Sequence, residues 1–211
     1  VEELGRAVTP GPFVPTVIAS ALLSAAGDDA AAKQFLPGLA DGSTTAGVAT
    51  ASSVSVDGGS VSGDAVVLGG GLASILVVPA GDDVAIVEVG DGVTVDTPQN
   101  LDPTRRSSRV TFDGASATVL AGAASVLTDV ARILLSAEAV GMARECTEMA
   151  ADYARERQQF GRPIAMFQGV KHHCANMVVA TELATSAVWD AARAASTGGD
   201  QRRYAAAVAA T

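Results

Sequence analysis

The chain has 211 residues, of which 48% are hydrophobic and 18% are charged, and its formal net charge at pH 7 is −9. This length allows a substantial core, and this balance of apolar and charged residues excludes an intrinsically disordered protein. The acidic net charge argues against nucleic acid or an anionic membrane surface as the main partner. The sequence has no charged-then-apolar leader and no apolar run of membrane-spanning length, so it predicts a soluble cytoplasmic protein.

Residues 1–40 are predicted to form a short helical part. The helical pattern stops before Thr9-Pro10-Gly11-Pro12, resumes through Val17 to Leu23, and allows one more short helix over residues 30–39. Val1 to Leu4 read as the interior of a helix, and Thr211 ends an alanine-rich helical run. We therefore expect both helical ends to be truncated parts of a longer polypeptide.

Residues 41–122 are predicted to form a β domain. Short β-rich runs occur at residues 54–56, 66–68, 75–78, 84–89, 93–95 and 109–112, and glycine-rich turns separate them. No helix intervenes between these strands, which favours an antiparallel sandwich or barrel. The Gly58-Gly59-Ser60 and Gly69-Gly70-Gly71 stretches lack the spacing of a phosphate-binding loop, so we interpret them as turns.

Residues 123–211 are predicted to form an antiparallel helix bundle, which makes the whole an α+β multidomain protein. The first long helix has an apolar face that includes Met142, Cys146, Met149 and Tyr153, and a wet face that includes Glu138. The next helix places apolar or small residues at spacings of three and four: Phe167, Val170, Cys174, Met177, Thr181, Ala184, Val188, Ala191 and Ala195. Asp200 is the predicted cap of a third helix.

The stretch from Arg157 to Gln168 joins the two long helices and carries the strongest functional signal. Arg157 can grip two phosphate oxygens, Phe160 can cover a planar surface, and Gln168 can donate and accept hydrogen bonds. Four basic residues cluster around it in an acidic protein, namely Arg155, Arg157, Arg162 and Lys171. These features predict a site for a small anionic ligand. The alternative is structural, with Arg157 paired to Glu156 or Asp152 at the end of a helix.

Other chemistries find little support in the sequence. His172 and His173 are adjacent on a helix and point about 100° apart, so they cannot easily share a metal ion, and we predict no metal site. The serines of residues 52–62 lack both a nucleophile-elbow motif and a nearby histidine, which argues against a serine hydrolase.

The pattern Y-x-x-x-R-x-x-F-G-x-x-I-x-x-F-Q resembles the acyl-CoA dehydrogenase family. The residues that match are Tyr153, Arg157, Phe160, Gly161, Ile164, Phe167 and Gln168. Gly141 and the stretch Leu101-Asp102-x-Thr104-Arg105-Arg106 agree with the same alignment. The order of helices, β domain and bundle extends the resemblance over nearly the whole chain.

The resemblance implies an FAD-dependent oxidoreductase that dehydrogenates an acyl-CoA thioester between its α and β carbons. In this family FAD lies between the β domain and the bundle of a dimer. By analogy, Arg157 would contact the pyrophosphate of a neighbour's FAD, Gln168 would hydrogen-bond nearby, and Phe160 would pack on the cofactor. The family also implies an electron-transfer flavoprotein as electron acceptor. Lipid or steroid catabolism in a bacterium is the expected setting.

Two departures from the family pattern leave alternatives open. The threonine–glutamate loop that lines the flavin is reduced here to Thr50 within residues 48–53, and Ala131 occupies one family position for the catalytic glutamate. The catalytic residue is therefore unknown. The chain is either a complete dehydrogenase with its base on later helices, or a catalytically silent subunit in an oligomer with another acyl-CoA dehydrogenase chain. A flavin-free helical scaffold is the third alternative.

Overall fold

The computed structural model describes residues 1–211, and the chain divides into two compact units. The sheet unit comprises Pro10–Ala131, and the helical unit comprises Val1–Thr9 together with Arg132–Thr211. The three-part division predicted at residues 1–40, 41–122 and 123–211 stays a prediction as a division into domains. None of the helices combines the length and apolarity needed to span a bilayer.

Two helices open the sheet unit, α2 at Phe13–Ala25 and α3 at Asp29–Asp41. Asp28 begins α3, because its carboxylate accepts hydrogen bonds from the backbone N–H groups of Ala30 and Ala31, each at 3.0 Å. Gly42 ends α3 in the left-handed conformation, with a φ of 80°. The helices predicted from sequence in this region are confirmed.

The strands of the sheet unit are β1 (Ala46–Val48), β2 (Ser55–Asp57), β3 (Ser60–Val67), β4 (Ile75–Ala80), β5 (Asp83–Glu88), β6 (Val93–Asp96) and β7 (Ser108–Leu120). Their order is β1-β4-β5-β7-β3-β2, and β6 also pairs with β7. All six predicted strands are present. The sequence missed β1, a three-residue edge strand that pairs with β4 in parallel, whereas the other pairs are antiparallel as predicted.

The long strand β7 joins the two halves of this sheet. Its residues 108–112 pair with β6 and β3, and its residues 117–120 pair with β5. A cluster of buried side chains fills the interior, and it includes Val61, Val67, Leu76, Val78, Val87 and Phe112. Gly58 and Gly59 form the predicted turn, since both have positive φ between β2 and β3. In the second stretch Gly69 has positive φ, and Gly70 and Gly71 begin a short 3-10 helix, Gly70–Leu72.

The helical unit contains α1 (Glu2–Arg6), most of α4 (Ala124–Glu156), α5 (Gln168–Thr197) and α6 (Gly199–Ala209). The N-cap of α6 is Gly198, with no side-chain hydrogen bond. The prediction that Asp200 caps this helix is therefore wrong, since Asp200 lies one residue inside the first turn. At that position its carboxylate still interacts favourably with the positive end of the helix dipole.

Two glycines let α1 approach α4 closely. A Cβ atom on Gly141 would lie 1.9 Å from the carbonyl oxygen of Glu2, and a Cβ on Gly5 would lie 2.1 Å from that of Glu138. Both distances are far inside van der Waals contact, so a side chain at either position would force the helices apart. Ion pairs flank the contact: Arg6 bonds Glu145 at 2.9 Å and Glu148 at 2.6 Å, and Arg144 bonds Glu2 at 2.8 Å.

This contact corrects the predicted wet face of α4. Glu138 was expected in solvent, but it is buried. The sequence pattern could not anticipate a five-residue helix docking over this turn of α4.

Small and polar residues form the seam between α4 and α5. Thr147 and Thr181 are both nearly buried, and their hydroxyl oxygens lie 3.3 Å apart. In each long helix a threonine hydroxyl also donates a hydrogen bond to the backbone carbonyl one turn earlier. Thr147 donates to Ala143 at 2.8 Å in this way. Small side chains allow the two helices to approach closely at this pair of threonines.

The apolar face predicted for the second half of α4 is therefore wrong. Cys146, Met149 and Tyr153 are exposed, and Thr147 and Ala154 are buried in their place. The face predicted for α5 is confirmed in part, because Thr181, Val188 and Ala191 are buried, whereas Ala184 is exposed.

Candidate functional site

The predicted anion-binding stretch forms a small hairpin between α4 and α5. Strand β8 (Gln158–Gln159) pairs with β9 (Arg162–Pro163), so Gln159 lies opposite Arg162. The two turn residues, Phe160 and Gly161, have φ values of 54° and 76°. Two positive φ values in a two-residue loop define a type I′ turn, which matches the twist of a hairpin.

The backbone of Arg157 is fixed on both sides, and its side chain is free. Its N–H donates to the carbonyl of Tyr153 at 2.9 Å, and its own carbonyl accepts from the N–H of Ile164 at 2.8 Å. The side chain is exposed and makes no ion pair. Asp152, the expected structural partner, is bonded to Arg155 instead. The guanidinium of Arg157 therefore has its donors available to a ligand.

Phe160 presents a bare aromatic ring at the tip of the hairpin. Its exposed fraction is 91%, the highest of any aromatic residue among the exposed large hydrophobics. A bulky residue in the left-handed region is uncommon and costs conformational energy, and glycine or asparagine is the usual choice in this turn. The fold thus tolerates both strain and exposed apolar area at one residue, a combination more often found at functional positions than at structural ones.

Gln168 is the first residue of α5, and its amide is exposed. The amide nitrogen lies 3.5 Å from the Nε2 atom of His172, one turn further along the helix. No side chain caps this end of α5. Gly169 follows, and a Cβ atom there would meet nothing within 4 Å, so the backbone of the first turn is open to a ligand. Free N–H groups and the helix dipole both favour an anion at such a terminus.

Two contacts in this region were not anticipated from sequence. The guanidinium carbon of Arg162 lies 4.4 Å from the centre of the Phe167 ring, and the Phe160 and Phe167 rings meet edge to face with centres 6.0 Å apart. Arg162 was counted only as one of four basic residues. An arginine two residues after an exposed aromatic, with a second aromatic five residues further on, was the available signal.

The loop of the Leu101 to Arg106 stretch is organised by a local turn. The Asp102 carboxylate accepts hydrogen bonds from the backbone N–H of Thr104 at 2.9 Å and from its hydroxyl at 2.5 Å. The hydroxyl bond, followed by the N–H bond, holds the pKa of Asp102 below its ordinary value. Leu101 is fully exposed at the tip of this loop.

The sheet unit carries an open cavity of about 710 Å³. The residues of the reduced flavin loop, Ala51 to Ser53, line it together with β3, β6 and β7. Asp64 is among the lining residues and accepts a hydrogen bond from Thr111 at 2.7 Å, and Val66 is exposed. Neither histidine of the chain nor any cysteine lines this cavity. Its side chains offer carboxylates, hydroxyls and the guanidinium of Arg109, but no nucleophile paired with a histidine.

The base position expected by family analogy holds no acid. Ala131 is buried, with 1% of its surface exposed. Asp129, the displaced carboxylate on the same helix, is buried as well. These two positions therefore identify no catalytic base, and the catalytic residue stays unassigned.

Comparison with known proteins identifies the family of this chain. Residues 122–210 match the family profile described as acyl-CoA dehydrogenase, C-terminal domain. The acyl-CoA dehydrogenase FadE34 of Mycobacterium tuberculosis (strain ATCC 25618 / H37Rv) is 37% identical over 216 residues, which cover all of this chain and 29% of that protein. The acyl-CoA dehydrogenase IpdE2 of the same organism is 35% identical over 206 residues, 92% of this chain and 55% of its own length.

Solved structures agree. A protein described as Tcur3481-Tcur3483 steroid ACAD G363A variant has a TM-score of 0.89 and 30% identity, with 99% of this chain and 63% of that chain covered. Butyryl-CoA dehydrogenase from Megasphaera elsdenii shares the fold, with a TM-score of 0.74 at 22% identity over 87% of this chain and 57% of its own. The chain belongs to the acyl-CoA dehydrogenase family. It spans about a third to a half of the length of the curated relatives cited above.

Proposed function

We propose that this chain is part of an FAD-dependent acyl-CoA dehydrogenase and supplies one side of the FAD site through Arg157, Phe160 and Gln168. The observation that carries the proposal is the state of Arg157, whose guanidinium is exposed and unpaired while Arg155 occupies the nearby carboxylate of Asp152. An arginine that serves only to cap a helix or form a surface ion pair would take that carboxylate itself.

Each residue has a defined part in this proposal. Arg157 donates two parallel hydrogen bonds to the pyrophosphate, a geometry that a guanidinium matches better than an ammonium group. Gln168 donates its amide hydrogens beside the open N-terminus of α5, where further negative charge is stabilised. Phe160 covers a planar part of the cofactor with its exposed ring. FAD, when bound, supplies the hydride acceptor for oxidation of an acyl-CoA thioester. The acyl group of that thioester is a lipid or steroid acid.

The residues favour the role of a subunit that completes another chain's FAD site. The flavin-lining loop is reduced to Thr50, and the base position holds Ala131. The anion-binding hairpin, by comparison, is intact at all seven positions of its pattern. A chain that keeps the cross-subunit half of a site while losing the residues that serve its own flavin fits a catalytically silent partner in a hetero-oligomer. An electron-transfer flavoprotein would then accept electrons from the assembled enzyme.

The outer face of α5 also supports assembly with a second chain. We define this face as Gln168, His172, Val179 and Leu183, whose spacings of four, seven and four place them on one side of the helix. Val179 and Leu183 are 59% and 67% exposed. The proposed ligand residue Gln168 therefore continues into an exposed apolar stripe. A chain that brings FAD to Gln168 would run along this stripe and bury it.

Co-expression tests the proposal. The polypeptide that carries this chain is purified alone and together with a candidate catalytic acyl-CoA dehydrogenase chain, and bound flavin is measured by visible absorbance. We expect a yellow complex and a colourless single chain. Arg157→Ala should weaken FAD binding about 10- to 100-fold, the loss expected for a charge-assisted hydrogen-bonded pair. Arg155→Ala, which removes an equal charge two residues away, should leave FAD binding nearly unchanged.

The possible outcomes separate the alternatives. A single chain that purifies yellow with full dehydrogenase activity overturns the partner role and favours a complete enzyme. If both preparations are colourless and FAD added in excess does not bind, the flavin site is refuted and the scaffold alternative holds. Equal losses of FAD affinity in Arg155→Ala and Arg157→Ala would show that the site is a general basic surface without a specific role for Arg157.

A further inference from the structure

We propose that Arg162 is a positioning residue for the aromatic tip, acting on Phe160 through Phe167. The inference rests on the proposed function for the identity of the ligand, FAD. It goes beyond that proposal because it gives a role to a residue that the binding pattern does not include, and because it describes how the hairpin holds an exposed ring ready to bind.

The starting point is that the Phe160 side chain needs support. It lies in a type I′ turn with a φ of 54°, and nearly all of its surface is in solvent. A ring in this position has little surrounding core to fix its rotamer. The support that the structure provides is the Phe167 ring, which meets the Phe160 ring at an interplanar angle of 82°. Edge-to-face contacts of this kind are attractive because the positive edge of one ring faces the negative face of the other.

Arg162 holds the other side of this arrangement. Its guanidinium lies over the Phe167 ring at 4.4 Å, well within the range of a cation–π contact. Arg162 makes no ion pair, so this ring is its main electrostatic partner. Strand pairing fixes its backbone opposite Gln159, one residue from the turn. The hairpin therefore contains a stack in which Arg162 restrains Phe167, and Phe167 restrains Phe160.

The stack has a consequence for binding. A ring already held in its binding orientation loses less conformational freedom when a ligand arrives, so the affinity for the ligand rises. Lysine at position 162 keeps the charge but lacks the planar group that stacks on an aromatic face. We expect Arg162→Lys to raise the FAD dissociation constant of the assembled complex about two- to fivefold, the range for loss of an exposed cation–π contact. Arg155→Lys is the matched control and should change it little.

A double-mutant cycle tests whether Arg162 acts through Phe167. If it does, Arg162→Lys has no further effect on FAD affinity once Phe167→Leu has removed the ring. Additive losses would overturn the proposal, since Arg162 would then contact the cofactor directly. Arg162 and Arg155 are both exposed, so lysine at either position should leave the fold intact, and circular dichroism checks the fold of every variant.

A second measurement does not depend on FAD. The chain has five phenylalanines, so labelling with fluorophenylalanine gives five ¹⁹F resonances, and Phe160→Leu identifies the line of Phe160. Arg162→Lys should shift and sharpen the Phe160 line in the chain without ligand, and Arg155→Lys should not. An unmoved Phe160 line refutes the proposal even if FAD affinity falls. A moved line in a chain that binds no FAD in any preparation supports the stack and refutes the flavin function instead.

Discussion

The two units of this chain build their interiors from different residues. The core of the sheet unit is rich in large branched and aromatic side chains, such as Leu76, Val78 and Phe112. The corresponding cluster in the helical unit is Ile133 with Ala191, Ala194, Ala205 and Ala206. Buried apolar area scales with side-chain size, so the sheet unit gains more hydrophobic stabilisation from each buried residue.

The helical unit also places large apolar side chains on its surface. Val179, Leu183 and Trp189 of α5 are each more than half exposed, whereas the buried side of the same helix uses threonine and alanine together with Val188. Small residues let helices approach closely, and the larger apolar residues of α5 remain exposed on this unit. The core of the sheet unit therefore gains its stability from large buried side chains, whereas α5 of the helical unit leaves several of its large apolar side chains exposed.

The largest effect should follow from emptying the core of the sheet unit. Phe112 is 2% exposed, and Phe112→Ala should lower the free energy of unfolding by about 3–5 kcal/mol, because it removes a buried ring and leaves a cavity. Urea unfolding followed by circular dichroism measures this. Val66→Ala on β3 is the matched control and should change little, since Val66 is 65% exposed. A loss below about 1 kcal/mol for Phe112→Ala would mean that this core contributes less than its composition indicates.

An intermediate effect should follow from a methyl group at the α1–α4 contact. Gly141→Ala should destabilise the helical unit by about 1–3 kcal/mol, as overpacking does, although alanine favours a helix over glycine. Gly169→Ala is the control, because a Cβ atom there meets nothing, and it should be neutral or stabilising. Limited proteolysis within residues 1–9 would report release of α1. Equal stability of both variants would contradict the close contact.

The smallest effect on the single chain should come from the outer face of α5. Leu183→Ser should change the free energy of unfolding by no more than about 0.5 kcal/mol, as exposed substitutions do. Val188→Ser, on the buried side of the same helix, should cost several times more. In the co-expressed complex, Leu183→Ser should weaken the association of the two chains. Analytical ultracentrifugation measures this association. An unchanged association constant would remove this face from the interface.

Local patterns predicted much of this fold. The period of two and the glycine turns located six strands, because alternation and turn chemistry act between near neighbours in sequence. The seam of α5 was also found, through Thr181, Val188 and Ala191. The pattern failed on α4, where Cys146, Met149 and Tyr153 were expected inside. Apolarity is a poor guide here, because Thr147 and Ala154 are the buried residues in that half of α4 while larger apolar side chains stay exposed.

For the candidate site, too, some features could be predicted from the sequence and others could not. The sequence alone determined which chemical groups are present: a guanidinium, an aromatic ring and an amide at fixed spacing, without a base at position 131 or a full flavin loop. These chemical groups follow from residue type and order alone, so the sequence specifies them without reference to the fold. Only the tertiary structure decided that Arg155 takes Asp152 and leaves Arg157 free, that Phe160 stands exposed in a left-handed turn, and that Arg162 stacks on Phe167. These features depend on backbone torsions and on distances across a turn, which no spacing along the chain specifies.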